Sequence, residues 1–269
     1  MQFLQASDLI PLSPSARAQL VLETIDSVKV PRKVRSELHL AYKISTVLTP
    51  ALPDFIQHQI QIDAAQGTVL ERIAQSNAIA AECDQFSNQF INSVPGLVRS
   101  KAEREAAPSN LYEMAGADLF TVSNSISRKL STAMGSLWER IADISPYSIS
   151  PERDFHLKIT GVDSIIMSHG SGLPTFVQIK TQRNTLTGSQ SNRSKTELKL
   201  HDNRLFAAAF CTGGSWTFSG SGIRRVCGAD FWELLGLDYE TLESHVKQMI
   251  LKIQTAYMDT GRVTEGVRK

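Results

Sequence analysis

With 269 residues, of which 42% are hydrophobic and 20% charged, the chain is long enough for one large domain or two modest ones with a real core. A formal net charge of +1 excludes a protein that binds polyanions over its whole surface. No apolar run approaches the ~18 residues of a membrane span, and no basic-then-apolar segment opens the chain, which argues against a secretory leader.

The three cysteines, Cys83, Cys211 and Cys227, are odd in number and lack CxxC spacing. They suggest neither a disulfide framework nor a zinc site, and a reducing cytoplasm is the expected setting.

Residues 1 to about 145 read as helical. Ser13-Pro14-Ser15 starts a helix carrying Leu20, Val21, Ile25 and Val28 at helical spacing, and Pro31 suits the first turn of the next, with Val34, Leu38, Leu40, Ile44 and Leu48. After Pro50 and Pro53 an amphipathic stretch runs from Asp54 to Val94 through Ile56, Ile60, Leu70, Ile79 and Phe90, interrupted only by Gly67 and stopped by Pro95-Gly96. Such length calls for a kink or for packing along a partner. A homodimer interface is preferred, with an intramolecular bundle as the alternative. Arg99–Ala107 reads as a charged connector, and Pro108-Ser109-Asn110 caps a helical region from Leu111 to Ile144.

Ser145-Pro146 and Ser150-Pro151 end the helices, and the pattern changes to short strands: Phe155–Thr160, Asp163–Met167 and Thr175–Thr181. Arg183–Arg193 is a polar loop, Glu197–Phe210 a helix packed on the sheet, and Gly213–Phe218 and Ile223–Gly228 further strands. Asp230–Leu235 is a short helix, Glu240–Met258 a final amphipathic one, and Arg262–Lys269 a frayed tail. Strands flanked by helices after residue 150 predict a mixed α/β catalytic core with a helical appended region.

The chemistry concentrates in Gly161–Lys180, GVDSIIMSHGSGLPTFVQIK. Residues two apart on a strand share a face, so Gln178 and Lys180 project together while Val177 and Ile179 face the other way. An acid on one strand, Asp163, with a polar residue and a lysine on its neighbour, can hold a divalent cation beside a phosphate. The lysine then stands where it can help a water attack. From Phe176 to Leu205 six basic residues face two acidic ones, a local net of +4, which suits a polyanionic substrate handled at one place. His156, His169 and His201 have no metal-ligand spacing, and Ser219-Gly220-Ser221-Gly222 lacks the lysine of a phosphate-binding loop.

GVDSIIM, a turn, FVQIKTQRNTLTG and KLHDNRLFAAAF resemble the core of type II restriction endonucleases of the PD-(D/E)xK superfamily. The run Thr181–Gly188 is similar to the pattern of enzymes cutting GGNCC-like palindromes, and CGADFWELLG and MGSLWER are similar to that group's closing strand-helix and to the helix bringing an extra acid. The resemblance covers about residues 130–240. It implies a restriction-endonuclease-like core, a mixed sheet flanked by helices, in residues 111–269, and a helical dimerisation region in residues 1–110.

The resemblance also implies Asp163, Gln178 and Lys180 as the catalytic set with Glu139 assisting, and Asp163, Gln178 and Glu139 as ligands of Mg²⁺. Gln178 departs from the family, whose usual residue there is an acid. Glutamine keeps an amide oxygen for coordination but adds no charge. Arg183, Asn184, Thr185, Gln190, Asn192 and Arg193 are the candidate contacts to bases or phosphates, with Arg224 and Arg225 secondary. The implied partners are double-stranded DNA, a second copy of the chain and a cognate DNA methyltransferase. The alternatives are a repair or recombination nuclease on the same core and a helical dimer that binds DNA without cutting it.

Overall fold

Ser13 starts the first long helix through its hydroxyl, which accepts the Ala16 N–H at 3.3 Å. The computed structural model describes residues 3–67, 71–96, 101–168, 172–186, 188–220 and 222–266, apart from the side chains of Pro95, Lys101 and 259–266. Leu70, His169, Thr187 and Ser221, and the last residues of the tail, lie outside the described residues.

A single turn, α1 (Ala6–Leu9), precedes α2 (Pro14–Thr24). Pro31 starts no helix; its carbonyl accepts the Val34 N–H in a turn, and a 3-10 turn at Ser36–Leu38 leads into α3 (His39–Leu48). The stretch from Asp54 to Val94 is two helices, α4 (Leu52–Gln66) and α5 (Arg72–Ser93). Gly67 ends α4 at φ +79°, a left-handed conformation that glycine adopts without a Cβ clash. The charged connector contains a short helix, α6 (Lys101–Ala106). Asn110 caps α7 (Leu111–Met114) by accepting the Tyr112 and Glu113 N–H groups, and α8 (Asp118–Ala142) follows.

The α/β half runs β1 (Ser148–Ile149), α9 (Pro151–Phe155), β2 (Ser164–Ile166), β3 (Thr175–Gln182), α10 (Gly188–Leu198), β4 (Arg204–Phe210), β5 (Arg224–Cys227), α11 (Ala229–Leu234) and α12 (Tyr239–Gly266). The strands form one five-stranded sheet in the order β1-β2-β3-β4-β5. Pairing is antiparallel from β1 to β3 and parallel from β3 to β5. The protein is therefore mixed α/β, with helices and a mixed sheet. Among the described residues, no helix is long and apolar enough to cross a membrane.

Several sequence expectations need correction. Ser150-Pro151 begins a helix instead of ending one, because the Ser150 hydroxyl accepts the Arg153 N–H; Phe155 therefore closes α9, and residues 156–160 join no ladder. The segment Glu197–Phe210 is not one helix: α10 occupies 188–198, taking the end of the expected polar loop, and Arg204–Phe210 is the strand β4. β4 lies between two parallel neighbours and is buried from Leu205 to Ala209, so it shows no alternation and its alanines imitate a helix. Gly213–Phe218 forms no strand.

The expectation of no disulfide is also overturned. Cys211, just after β4, is bonded to Cys227 at the end of β5, with Cα atoms 5.1 Å apart, while Cys83 is buried. Parallel pairing brings them together, since Ala208 stands opposite Cys227. The argument for a reducing compartment loses its premise.

By internal contacts the chain forms two compact units, each discontinuous in sequence: Met1–Ala78 with Trp138–Glu240, and Ile79–Leu137 with Thr241–Lys269. The first unit contains the whole sheet. Its core joins Leu9, Val21, Ile44, Leu52 and Ile56 from the N-terminal helices to Ile149, Phe155, Ile165 and Phe176 around the sheet. The rings of Phe55 and Phe155 lie 5.2 Å apart. The helices up to residue 78 thus share a unit with the strands, and residue 110 marks no boundary between compact units.

Candidate active site

The strand register sets the site. Ser164 pairs with Val177, so Asp163, one residue before β2, stands opposite Gln178. Its backbone N–H donates to the Val177 carbonyl at 2.8 Å, and its Oδ2 accepts the Ile179 N–H at 2.7 Å. Asp163 is thereby fixed to β3 through its backbone and its carboxyl. Lys180 Nζ lies 3.7 Å from the same Oδ2. Burial pushes the Asp163 carboxyl up, against the opposing pull of Lys180 and the Ile179 N–H.

Gln178 is 6% exposed. Its amide oxygen is buried and has no hydrogen-bond partner among the described residues. An unmet acceptor of this kind costs about 1–3 kcal/mol unless something fills it. It sits one strand from Asp163 and two residues from Lys180. The structure therefore brings together Asp163, Gln178 and Lys180, as the i, i+2 pattern predicts.

Glu139 joins them from α8. Trp138 is fully buried, its Nε1 donating to Thr181 Oγ1 at 3.0 Å and its ring edge-on to Phe210 at 5.3 Å. These contacts pin that turn of α8 to the end of β3, next to the candidate site. The Glu139 carboxyl is pushed up to about 7, first by burial and then by the negative charge of Asp163, with Lys180 acting in the opposite direction. It is thus electrostatically part of the same cluster.

One acid was missed from sequence. Glu197 on α10 is 4% exposed and its charge raises Asp163. Its Oε1 accepts Arg193 Nε at 2.7 Å, while the rest of the side chain presses on Gly161. The only sequence signal was the i, i+4 pairing of Arg193 with Glu197, which belongs on a helix beginning earlier than Glu197. Gly161 has φ +81°, and a Cβ there would overlap Glu197. Gly161→Ala is expected to lower stability by about 1–3 kcal/mol, read as a drop in the urea midpoint, through backbone strain and displacement of Glu197.

The candidate DNA contacts fall in two groups. Arg183, Asn184 and Thr185 occupy the turn after β3. Thr185 Oγ1 donates to the Gln182 carbonyl at 2.8 Å, so its hydroxyl holds the turn itself. The Arg183 N–H donates to the Thr212 carbonyl, and its own carbonyl accepts the Thr217 N–H. Asn184 is exposed against Gly213. Gln190, Asn192 and Arg193 are not in a loop but exposed on α10, with Arg193 paired to Glu197. Arg224 and Arg225 are exposed on β5.

The donors are chemically suited to a hard cation: two carboxyls, Asp163 and Glu139, and the orphaned amide oxygen of Gln178, all oxygens. Among the described residues, no group of three or more His, Cys, Asp or Glu is placed to hold a metal ion. The amide is what completes this set. No protein-family model, curated protein or solved structure matches the chain.

Proposed function

We propose that the protein is a Mg²⁺-dependent endonuclease with a restriction-endonuclease-like core, cleaving both strands of a short palindromic duplex site as a type II restriction enzyme. It would act as a homodimer, alongside a cognate methyltransferase that protects the same site. The observation that carries the reading is the buried, unpartnered amide oxygen of Gln178 opposite Asp163, with Lys180 beside it. A buried acceptor left unmet beside a carboxylate and an ammonium is the arrangement a cation and a phosphate would complete.

Asp163, Gln178 and Glu139 would hold Mg²⁺, which when bound supplies charge neutralisation at a phosphate and lowers the pKa of a coordinated water. The Ile179 N–H keeps the Asp163 carboxylate in one orientation. Lys180, reaching from the same face of β3 as Gln178, orients the attacking water and offsets the charge that develops on the phosphate oxygens. Glu139, at about 7, is divided between acid and carboxylate near neutral pH and would shift to the carboxylate beside a bound cation. Two-fold symmetry in the dimer would match a two-fold in the DNA, one strand to each subunit.

Digestion of a sequenced plasmid with and without Mg²⁺ tests the reading, with Asp163→Asn as control. Discrete fragments that require Mg²⁺ and vanish in the variant support it, and end-sequencing would give the site. Smearing would favour a repair nuclease, and intact but retarded DNA a binding protein.

Gln178 also allows a gain-of-function test. Gln178→Glu adds a charge at the coordinating position, so the Mg²⁺ concentration for half-maximal cleavage is expected to fall about 3- to 10-fold, because ligand charge tunes affinity for hard cations. The same change places two carboxyls opposite each other and should lower stability in the absence of metal.

A further inference from the structure

The nuclease reading gives residues 33–38 no role. In the structure this segment faces α10 across two adjoining clefts. The larger, about 670 Å³, is lined by Arg35, Thr160, Arg193 and Glu197 among others. The smaller, about 380 Å³, is lined by Lys33, Arg35, Lys199 and Arg204 among others, and Arg35, Leu38 and Thr196 belong to both. We propose that this continuous basic cleft is the track for the phosphodiester backbone of duplex DNA flanking the cut; the proposal rests on the nuclease reading.

Charge carries the argument. Five basic residues line the two clefts against two acids, Glu37 and Glu197. Glu197 takes up the charge of Arg193 at 2.7 Å, and the Arg35–Glu37 pair stands 3.9 Å apart in solvent, where it neutralises little, so Lys33, Arg35, Lys199 and Arg204 carry the positive charge of the clefts. Lys33 and Lys199 are both exposed. Arg204 is oriented by carbonyls, its Nε donating to that of Gly222 at 3.0 Å and its Nη1 to that of His201 at 2.7 Å, so its positive charge is fixed in place with no carboxylate among the described residues taking it up. Burial, and after it the charge of Arg204, keeps His201 neutral.

Geometry agrees. Ser189, Arg193, Thr196 and Leu200 lie three or four residues apart, on one face of α10 and its continuation. That stripe is roughly 15 Å long at 1.5 Å per residue. It spans about four base-pair steps of duplex axis at 3.4 Å each. At the larger cleft Thr160 is three residues from Asp163, at most about 10 Å of chain. A strand running along the cleft would therefore lead to the candidate site.

The test is duplex binding by the full-length protein in a chelator, followed by fluorescence anisotropy across a salt series, comparing wild type with Lys33→Gln/Lys199→Gln. Removing two phosphate contacts should reduce the slope of log affinity against log salt by about 1.8 and weaken binding about tenfold or more at moderate salt. Lys33→Arg/Lys199→Arg should restore both, and the urea midpoints of all three should coincide. A slope and affinity equal to wild type would overturn the cleft while leaving the nuclease reading intact. So would competition by polyglutamate as effective as by duplex, which would point to an acidic protein. Wild-type protein that binds with the expected slope but does not cut with Mg²⁺ would sink the nuclease reading and keep the cleft.

Discussion

Asp163→Asn is expected to abolish Mg²⁺-dependent cleavage, lowering the single-turnover rate by at least about a thousandfold, while the protein stays folded. A single preorganised charge in such a centre supports about 10²- to 10³-fold in rate, and here the same group also holds the cation. Stability should change little at neutral pH. Burial already works against the charge on this carboxyl, and the asparagine oxygen can still accept the Ile179 N–H. The loss of the Lys180 partner is the opposing cost, at 3.7 Å and with both side chains partly exposed. Parallel rate and urea-midpoint measurements separate the two effects. Cleavage surviving at more than a tenth of the wild-type rate would place the chemistry elsewhere in the molecule.

Glu139→Gln is expected to make the protein more stable at pH 8 and less active. The carboxyl sits at about 7 instead of its ordinary 4.5. Between those values the folded chain keeps a proton that the unfolded chain has released, so the wild type loses stability as pH rises from about 4.5 to about 7 and is level above that. The whole shift corresponds to about 3 kcal/mol, of which solvent screening at this half-buried group leaves about 1 kcal/mol. The glutamine variant should therefore match the wild type near pH 4 and melt about 2–4 °C higher at pH 8. Mg²⁺ acts in the opposite direction, raising the wild-type Tm more at pH 8 than at pH 5 because the cation needs the ionised carboxyl. The variant should lose that pH dependence. An equal response to Mg²⁺ in both proteins would remove Glu139 from the cation site.

The residues that carry these expectations differ in how far they could be read from the sequence. Val177 and Ile179 alternating with Gln178 and Lys180 gave β3 its face, and an acid ahead of a short apolar run gave Asp163 its place opposite. Local patterns sufficed there because period and register act over a few residues. Glu139 was reachable only through resemblance, since a helix ending 21 residues before Asp163 could have packed anywhere. The seat was chosen by Trp138. β4 and Glu197 were lost together. A strand buried on both faces has no period, so Leu205–Phe210 drew the expected helix forward and pushed α10 out of view. The Cys211–Cys227 bond depends on a parallel register that no spacing rule reports.

The shared core of the first compact unit bears on how such a chain can change over time. Ile165 and Phe176, on the strands that present Asp163 and Gln178, are covered by side chains from the first sixty residues, among them Leu9, Ile44 and Leu52. These strands are therefore not a cassette to be spliced onto a new leader. Exchange of the opening helices between lineages would strip apolar surface from the strands unless the matching contacts travelled with them. The two stretches of this unit are bound to vary together, and variation has most freedom in exposed positions such as Lys33, Asn184 and Lys199, where a substitution leaves the packing of the core untouched.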